Sequence, residues 1–81
     1  MAHPTGSVAP QIRQAILDAI ANAECEVNGG GGHYTISVVS PVFAGQSMLA
    51  SQRLVYAAIQ HLMSGDDAPV HAVDSLKTRT P

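Results

Sequence analysis

The spacing of apolar residues changes along this chain, and the change limits the fold more than any other feature of the sequence. Between residues 12 and 23, apolar side chains recur every three or four positions, which predicts an amphipathic helix. In residues 24–28 and again in residues 34–38 they alternate with polar side chains, which predicts two β-strands. Four glycines at positions 29–32 separate the two strands, so the strands are expected to form a hairpin.

A second helix is predicted over residues 48–63, with Ser47 as its N-cap and Gly65 placed to end it. The segment between the hairpin and this helix contains Pro41 and Gly45 and is expected to be a connection with one tight turn. The predicted buried face of the helix consists of Met48, Val55, Ile59 and Leu62, flanked by Leu54 and Ala58.

A third strand is predicted over residues 70–78, but its alternation is not regular. Val70 and Ala72 would share one face, whereas Val73 and Leu76 cannot both follow the same alternation. A bulge near Asp74 and Ser75 would restore the phase, because a bulge inserts one extra residue into a strand.

The predicted order is therefore helix, strand, strand, helix, strand. Because a helix joins the second and third strands, these strands can pair in parallel beside the antiparallel hairpin. The expected fold is a two-layer α+β domain, with two helices on one face of a three-stranded mixed sheet and the other face open to a partner. Residues 7–81 are expected to form this single domain, with Ser7 capping the first helix, and residues 1–6 are expected to be disordered.

Composition excludes several classes of function. The 81 residues contain four Lys or Arg against six Asp or Glu, so there is no basic field to attract a polyanion. Cys25 is the only cysteine, which rules out an internal disulfide. The sequence has no apolar run of the roughly 18–20 residues that span a bilayer, and its start does not resemble a signal peptide. A reducing, cytoplasmic location without a membrane partner is the expectation.

The glycine run itself fits several kinds of site. A phosphate-binding loop would lead into a helix and be followed by lysine, whereas these glycines lead into a strand. Gly29 to Gly32 also matches the G-x-x-G clamp of KH domains, but that clamp joins two helices. A flexible hairpin loop is the favoured interpretation, because glycine adopts positive φ without strain. The alternative is a loop kept bare so that a partner or a cluster can approach.

The histidines are the polar residues with the most varied chemistry: His3, His33, His61 and His71. None has the i, i+4 spacing of a helical zinc site, and a single cysteine provides no C-x-x-C motif. The chain is therefore not expected to enclose a metal by itself, although it could supply one or two ligands to a metal held by another protein. Cys25 is expected to be a small core residue, and no arrangement of serine, histidine and carboxylate indicates an enzyme.

Several segments together resemble the BolA-like family over most of residues 10–81. The segments are the histidine–aromatic start at His33–Tyr34, the sequence VVS at 38–40, Phe43-x-Gly45, Arg53–Tyr56, His71-Ala72-Val73 and the ending Thr78–Pro81. The resemblance implies a topology similar to the second type of KH fold. It also implies heterodimers with monothiol glutaredoxins that bridge a [2Fe–2S] cluster, shared with the glutathione of the glutaredoxin and not bound by the isolated chain.

The resemblance also implies cluster ligands. In the family, the histidine of the closing motif is a ligand, and here that residue is His71. A second ligand, Cys or His, usually comes from the hairpin loop. Gly30 stands where some members have cysteine, so His33 is the candidate near the loop, and Cys25 lies upstream in the strand. The distance from His71 to the final Thr-Pro is one residue longer than in the family pattern, which agrees with the expected bulge.

The leading hypothesis is a non-enzymatic adaptor that pairs with a monothiol glutaredoxin in iron–sulfur trafficking or iron sensing. The alternative is a KH-like, nucleic-acid-binding transcriptional regulator with DNA as its partner. A third hypothesis is an interaction module that uses the open sheet face. The residues expected to contact a protein partner or nucleic acid are Gly30, Gly31, Arg53, Lys77 and Arg79.

Overall fold

The structure, a computed structural model, describes residues 8–81, so the predicted cap Ser7 and the predicted disordered segment 1–6 lie outside it. The elements are α1 (Val8–Ala19), β1 (Glu24–Gly30), β2 (His33–Val39), a short 3₁₀ turn (Pro41–Phe43), α2 (Met48–Met63) and β3 (Ala72–Arg79). The predicted order of helices and strands is confirmed. Neither helix within the described range has the length and apolar character needed to cross a membrane.

The three strands form one mixed sheet in the order β1-β2-β3. β1 and β2 are antiparallel, and β2 and β3 are parallel, as predicted. The register of β3 shifts by one residue, because Tyr34 lies opposite Val73 while Thr35 lies opposite Ser75. Asp74 therefore has no partner on β2, which confirms the predicted bulge.

The core lies between the sheet and the two helices. Alternate residues of β2 are buried against the helices, and the residues between them are exposed or half-buried. The buried apolar side chains include Ile12, Ile16 and Ile20 from α1, Tyr34, Ile36 and Val38 from β2, and Val55, Ile59 and Leu62 from α2. The opposite side of the sheet, called the open face below, carries Glu24, Glu26 and Asn28 from β1, His33, Thr35 and Ser37 from β2, and Ser75, Lys77 and Arg79 from β3.

Two predictions about the helices are wrong. The first apolar stripe was expected to remain helical to residue 23, but α1 ends at Ala19. The chain turns at Asn22, whose φ of 55° lies in the left-handed region that asparagine tolerates better than most residues.

Met48 was assigned to the buried face of α2, but 70% of its surface is exposed. The buried stripe of α2 begins one turn later, at Ser51.

The predicted strand ends also differ from the structure. β1 extends through Gly30, which pairs with His33, so only residues 31 and 32 form the loop. β3 begins at Ala72 and not at Val70. Val70 is buried, but its N–H donates to the carbonyl of Leu62 at 3.1 Å, so it packs at the end of α2 and not in the sheet. Ala72 pairs with His33 on the open face, so Val70 and Ala72 do not share a face.

Ser40 connects three parts of the fold at the end of the sheet far from the hairpin. Its hydroxyl is buried, donates to the carbonyl of Ala21 at 2.8 Å and accepts from the N–H of Val42 at 3.1 Å. Its own N–H donates to the carbonyl of Arg79 at 3.0 Å. The serine therefore joins the segment after α1, the 3₁₀ turn and the end of β3.

We predict that Ser40→Ala lowers the free energy of unfolding by about 2 kcal/mol, because it removes two part-buried hydrogen bonds that contribute about 1 kcal/mol each. Ser47→Ala is the matched control, since Ser47 is exposed and its hydroxyl accepts one bond, from the N–H of Ala50 at 3.0 Å. It should cost about 1 kcal/mol. Urea unfolding measures both variants, and equal losses would contradict the role assigned to Ser40.

Candidate functional site

The hairpin between β1 and β2 turns in two residues, Gly31 and Gly32. Their φ values are 64° and 89°, a combination that a two-residue hairpin requires and that glycine adopts without strain. Because the turn is so short, the end of the hairpin lies directly beside the start of β3. The glycine run therefore forms a tight, ordered turn, and only half of it is loop.

His71 lies against this turn. The N–H groups of His71 and Ala72 both donate to the carbonyl of Gly32, at 2.8 and 3.0 Å. A Cβ atom on Gly32 would lie 2.8 Å from both Cγ and Nδ1 of the His71 ring, closer than carbon atoms approach in proteins. The missing side chain of Gly32 is therefore the space that the His71 ring uses, while the imidazole remains exposed to solvent.

His33 lies at the same end of the sheet as His71. It is the first residue of β2 and pairs with Ala72, the residue that follows His71. The His33 side chain is 60% exposed, and its Nδ1 lies 3.2 Å from Oδ1 of Asp74, the bulged residue of β3. Its other ring nitrogen, Nε2, has no hydrogen-bond partner within residues 8–81. Two imidazoles with solvent-accessible nitrogens thus come from neighbouring positions on adjacent strands.

The tip of the hairpin leaves free space next to these histidines. A Cβ atom built on Gly30 or Gly31 would meet no heavy atom within 4 Å. Both residues are exposed. The space is consistent with the approach of another molecule to this end of the sheet, which was one of the two predicted roles of the glycines.

Cys25 lies away from the histidines. It faces the core side of β1 and pairs with Val38, five residues along β2 from His33, which corresponds to about 17 Å. Burial raises the pKa of its thiol, and the charge of Arg13, whose Nε donates to the Cys25 carbonyl at 3.1 Å, acts in the opposite direction. The prediction that Cys25 packs with the core is confirmed by its contacts.

The structure does not bring the predicted basic contact residues together. Arg53 is exposed on α2, in the helical layer, whereas Lys77 and Arg79 lie on the open face. On that face Lys77 shares a row across the sheet with Glu26, and Arg79 shares one with Glu24. Lys77 and Arg79 also lie four and six residues along the sheet from His33, or about 13 and 20 Å. Only Gly30 and Gly31 of the predicted contact set are near the histidines.

The donor set at the hairpin end fits a metal that is shared with another protein. Within residues 8–81, no three His, Cys, Asp or Glu side chains are grouped so that they could hold a metal ion. His71 and His33 nevertheless offer two imidazoles, and imidazole can replace thiolate as a ligand of a [2Fe–2S] cluster. The arrangement can complete a coordination shell that another chain begins.

Two features of this site were not found by sequence reasoning. The bulge was predicted from the irregular alternation of β3, but the contact between Asp74 and His33 was not. The contact between Gly32 and the His71 ring was also missed, since the glycines were considered only as a loop. Both depend on the register between β2 and β3, for which the only sequence signal was the extra residue after His71.

Comparison with known proteins identifies relatives of the chain along most of its length. The family model described as BolA-like protein matches residues 10–81. The acid stress protein IbaG of Escherichia coli K12 is 31% identical over 71 residues, which cover 88% of this chain and 81% of IbaG. The matched region thus includes both helices, all three strands and the hairpin turn.

Solved structures give the same answer. A BolA homologue from Coxiella burnetii matches with a TM-score of 0.75 and 34% identity, covering 100% of this chain and 94% of the other. The BolA domain of SufE1 from Arabidopsis thaliana matches with a TM-score of 0.75 and 30% identity, covering 96% of each chain. The family model, the curated relative and the solved structures agree, and the chain belongs to the BolA-like family.

Proposed function

We propose that this protein is a non-enzymatic adaptor of the cytoplasm that pairs with a monothiol glutaredoxin and helps to coordinate a [2Fe–2S] cluster between the two chains. The role would be in iron–sulfur trafficking or iron sensing. The observation that carries the proposal is the exposed residue His71, whose ring is held against Gly32 at the end of the sheet where the exposed His33 also lies. Family membership supports it, because the BolA-like resemblance implies a ligand at the position of His71.

The cluster ligands would come from both proteins. His71 would be one ligand from this chain and His33 the candidate second ligand, whereas Cys25 faces the core at the other end of β1. The glutaredoxin and its glutathione would supply the remaining ligands, since within residues 8–81 no three His, Cys, Asp or Glu side chains are grouped so that they could hold a metal ion. When bound, the cluster would supply an iron atom to which an imidazole nitrogen can donate its lone pair. Histidine ligation raises the reduction potential of such a centre.

The backbone around the turn would orient the ligand before the partner arrives. The Gly32 carbonyl accepts two N–H bonds from the start of β3, so the position of the His71 Cα is held by the hairpin. The ring occupies the space where a Gly32 side chain would stand. A ligand that is already oriented loses less conformational entropy on binding, which favours capture of a cluster edge.

We predict that His71→Ala abolishes the change that the wild-type protein causes in the visible circular dichroism of a cluster-loaded glutaredoxin. Loss of a ligand should weaken cluster binding by at least about 10-fold, since substitution of residues that merely orient a ligand already costs that much. His61→Ala is the matched control, because His61 is an exposed histidine in the last turn of α2. If His71→Ala changes the spectrum as the wild type does, His71 is not a ligand.

We further predict that Gly32→Ala destabilises the fold and displaces the His71 ring, whereas Gly30→Ala does neither. Alanine at position 32 would adopt a left-handed backbone, at a cost of about 1–2 kcal/mol, and would also collide with the ring. Gly30 has no positive φ and open space around it.

Urea unfolding of the single variants and of Gly32→Ala combined with His71→Ala separates the two contributions of Gly32. Removal of the ring should reduce the loss caused by Gly32→Ala, because the two 2.8 Å contacts with the ring disappear, while the backbone strain and a 3.2 Å contact with the His71 Cβ remain. An identical loss in both backgrounds would show that Gly32 does not contact His71 in solution.

Nucleic-acid binding stays a prediction without support from the geometry. The basic residues are divided between two faces, and two carboxylates lie in the same rows as Lys77 and Arg79. Tyr34 and Phe43 are buried and cannot stack on bases, and the remaining aromatic residue, the exposed Tyr56, lies on α2, apart from Lys77 and Arg79. We expect no measurable affinity for DNA or RNA at low salt. A measured affinity that falls with rising salt would restore this function as a candidate.

The third hypothesis, an interaction module that uses the open face, differs in its dependence on iron. The proposed adaptor requires the cluster for its tightest association with the glutaredoxin. Binding that is equally strong without iron would favour the interaction module.

A further inference from the structure

The bulge in β3 places one carboxylate next to one of the two exposed imidazoles. Asp74 is the extra residue of the bulge. Its neighbours Val73 and Ser75 pair with two consecutive residues of β2, and Asp74 itself pairs with none. A bulge changes the direction in which a side chain points. Here its effect is to bring Oδ1 of Asp74 to 3.2 Å from Nδ1 of His33, across 41 residues of sequence.

We propose that Asp74 is a positioning residue that holds the His33 ring with Nε2 available as the second nitrogen donor to the shared cluster. A carboxylate accepts a hydrogen bond and cannot donate one. A neutral His33 that bonds to Asp74 therefore carries its proton on Nδ1, and its lone pair lies on Nε2. The inference rests on the proposed function, because the shared cluster supplies the reason for presenting that lone pair.

The contact contributes orientation more than stability. Both side chains are more than half exposed, at 60% and 54%, and exposed pairs of this kind stabilise a fold only weakly. Histidines that bind metals nevertheless almost always donate their other ring N–H to a carboxylate, carbonyl or water. The Asp74–His33 contact has the same arrangement.

No cation of the described chain competes for this carboxylate. Within residues 8–81, the only ion pair is the one between His33 and Asp74. Lys77 is three residues further along β3, or about 10 Å away. His33 is therefore the side chain with which Asp74 forms its hydrogen bond.

The first experiment needs neither a metal nor a partner. Nitrogen-15 NMR of the imidazole rings at about pH 8, where histidine is neutral, reports which nitrogen carries the proton. We expect His33 of the wild type to be protonated mainly at Nδ1, and Asp74→Ala to shift it towards protonation at Nε2. Asp67→Ala is the matched control, since Asp67 is an exposed aspartate in the loop after α2. The same tautomer of His33 in Asp74→Ala and wild type would overturn the inference.

The second experiment measures how long the cluster is retained in the complex with a glutaredoxin. Asp74→Ala and His33→Ala should both accelerate cluster loss, the former by about 10–100-fold, while Asp67→Ala should behave as the wild type. If Asp74→Ala or His33→Ala retains the cluster as long as the wild type does, while His71→Ala loses it, the inference is overturned. The proposed function would then still stand. If the wild type does not affect the cluster at all, the proposed function fails, and the inference about the second ligand fails with it even if the NMR result holds.

Discussion

The contact between the hairpin turn and the start of β3 is the interaction on which the rest of the site depends. The carbonyl of Gly32 accepts the N–H groups of His71 and Ala72, so the third strand begins where the hairpin ends. The same glycine lacks the side chain that would occupy the position of the His71 ring. One residue therefore fixes the start of a parallel strand pair and the orientation of an imidazole, which couples the fold to the proposed ligand.

The position of the site at one end of the sheet explains why it would be shared between two proteins. Strand ends at a tight turn can present a few side chains, but they cannot surround a metal, and within residues 8–81 no three His, Cys, Asp or Glu side chains are grouped so that they could hold one. The open face has mixed charge, with carboxylates on β1 and cations on β3, so it offers no field that would attract a polyanion. The chemistry of the chain is concentrated in two accessible nitrogens and the free space beside Gly30 and Gly31.

Much of the fold could be predicted because hydrophobic periodicity is a local property. The alternation of β2 and the stripe of α2 through Val55, Ile59 and Leu62 were read correctly. The irregular phase of β3 correctly predicted the bulge at Asp74. Errors occurred where an apolar residue lies at the end of an element. Met48 belongs to the first turn of α2 but is exposed, and Val70 is buried where its N–H bonds to the end of α2. Neither outcome follows from spacing alone.

The sequence by itself determined the elements and their order, because each rests on residue type and spacing within a short segment. The choice of His71 and His33 as candidate ligands came from the resemblance to the BolA-like family. Only the tertiary structure decided that the ring of His71 fills the space at Gly32, that Asp74 contacts His33, and that Cys25 faces the core at the other end of its strand. These contacts depend on the register between strands, and His33 and Asp74 are 41 residues apart. A one-residue shift in that register would turn each of these side chains to the other face of the sheet.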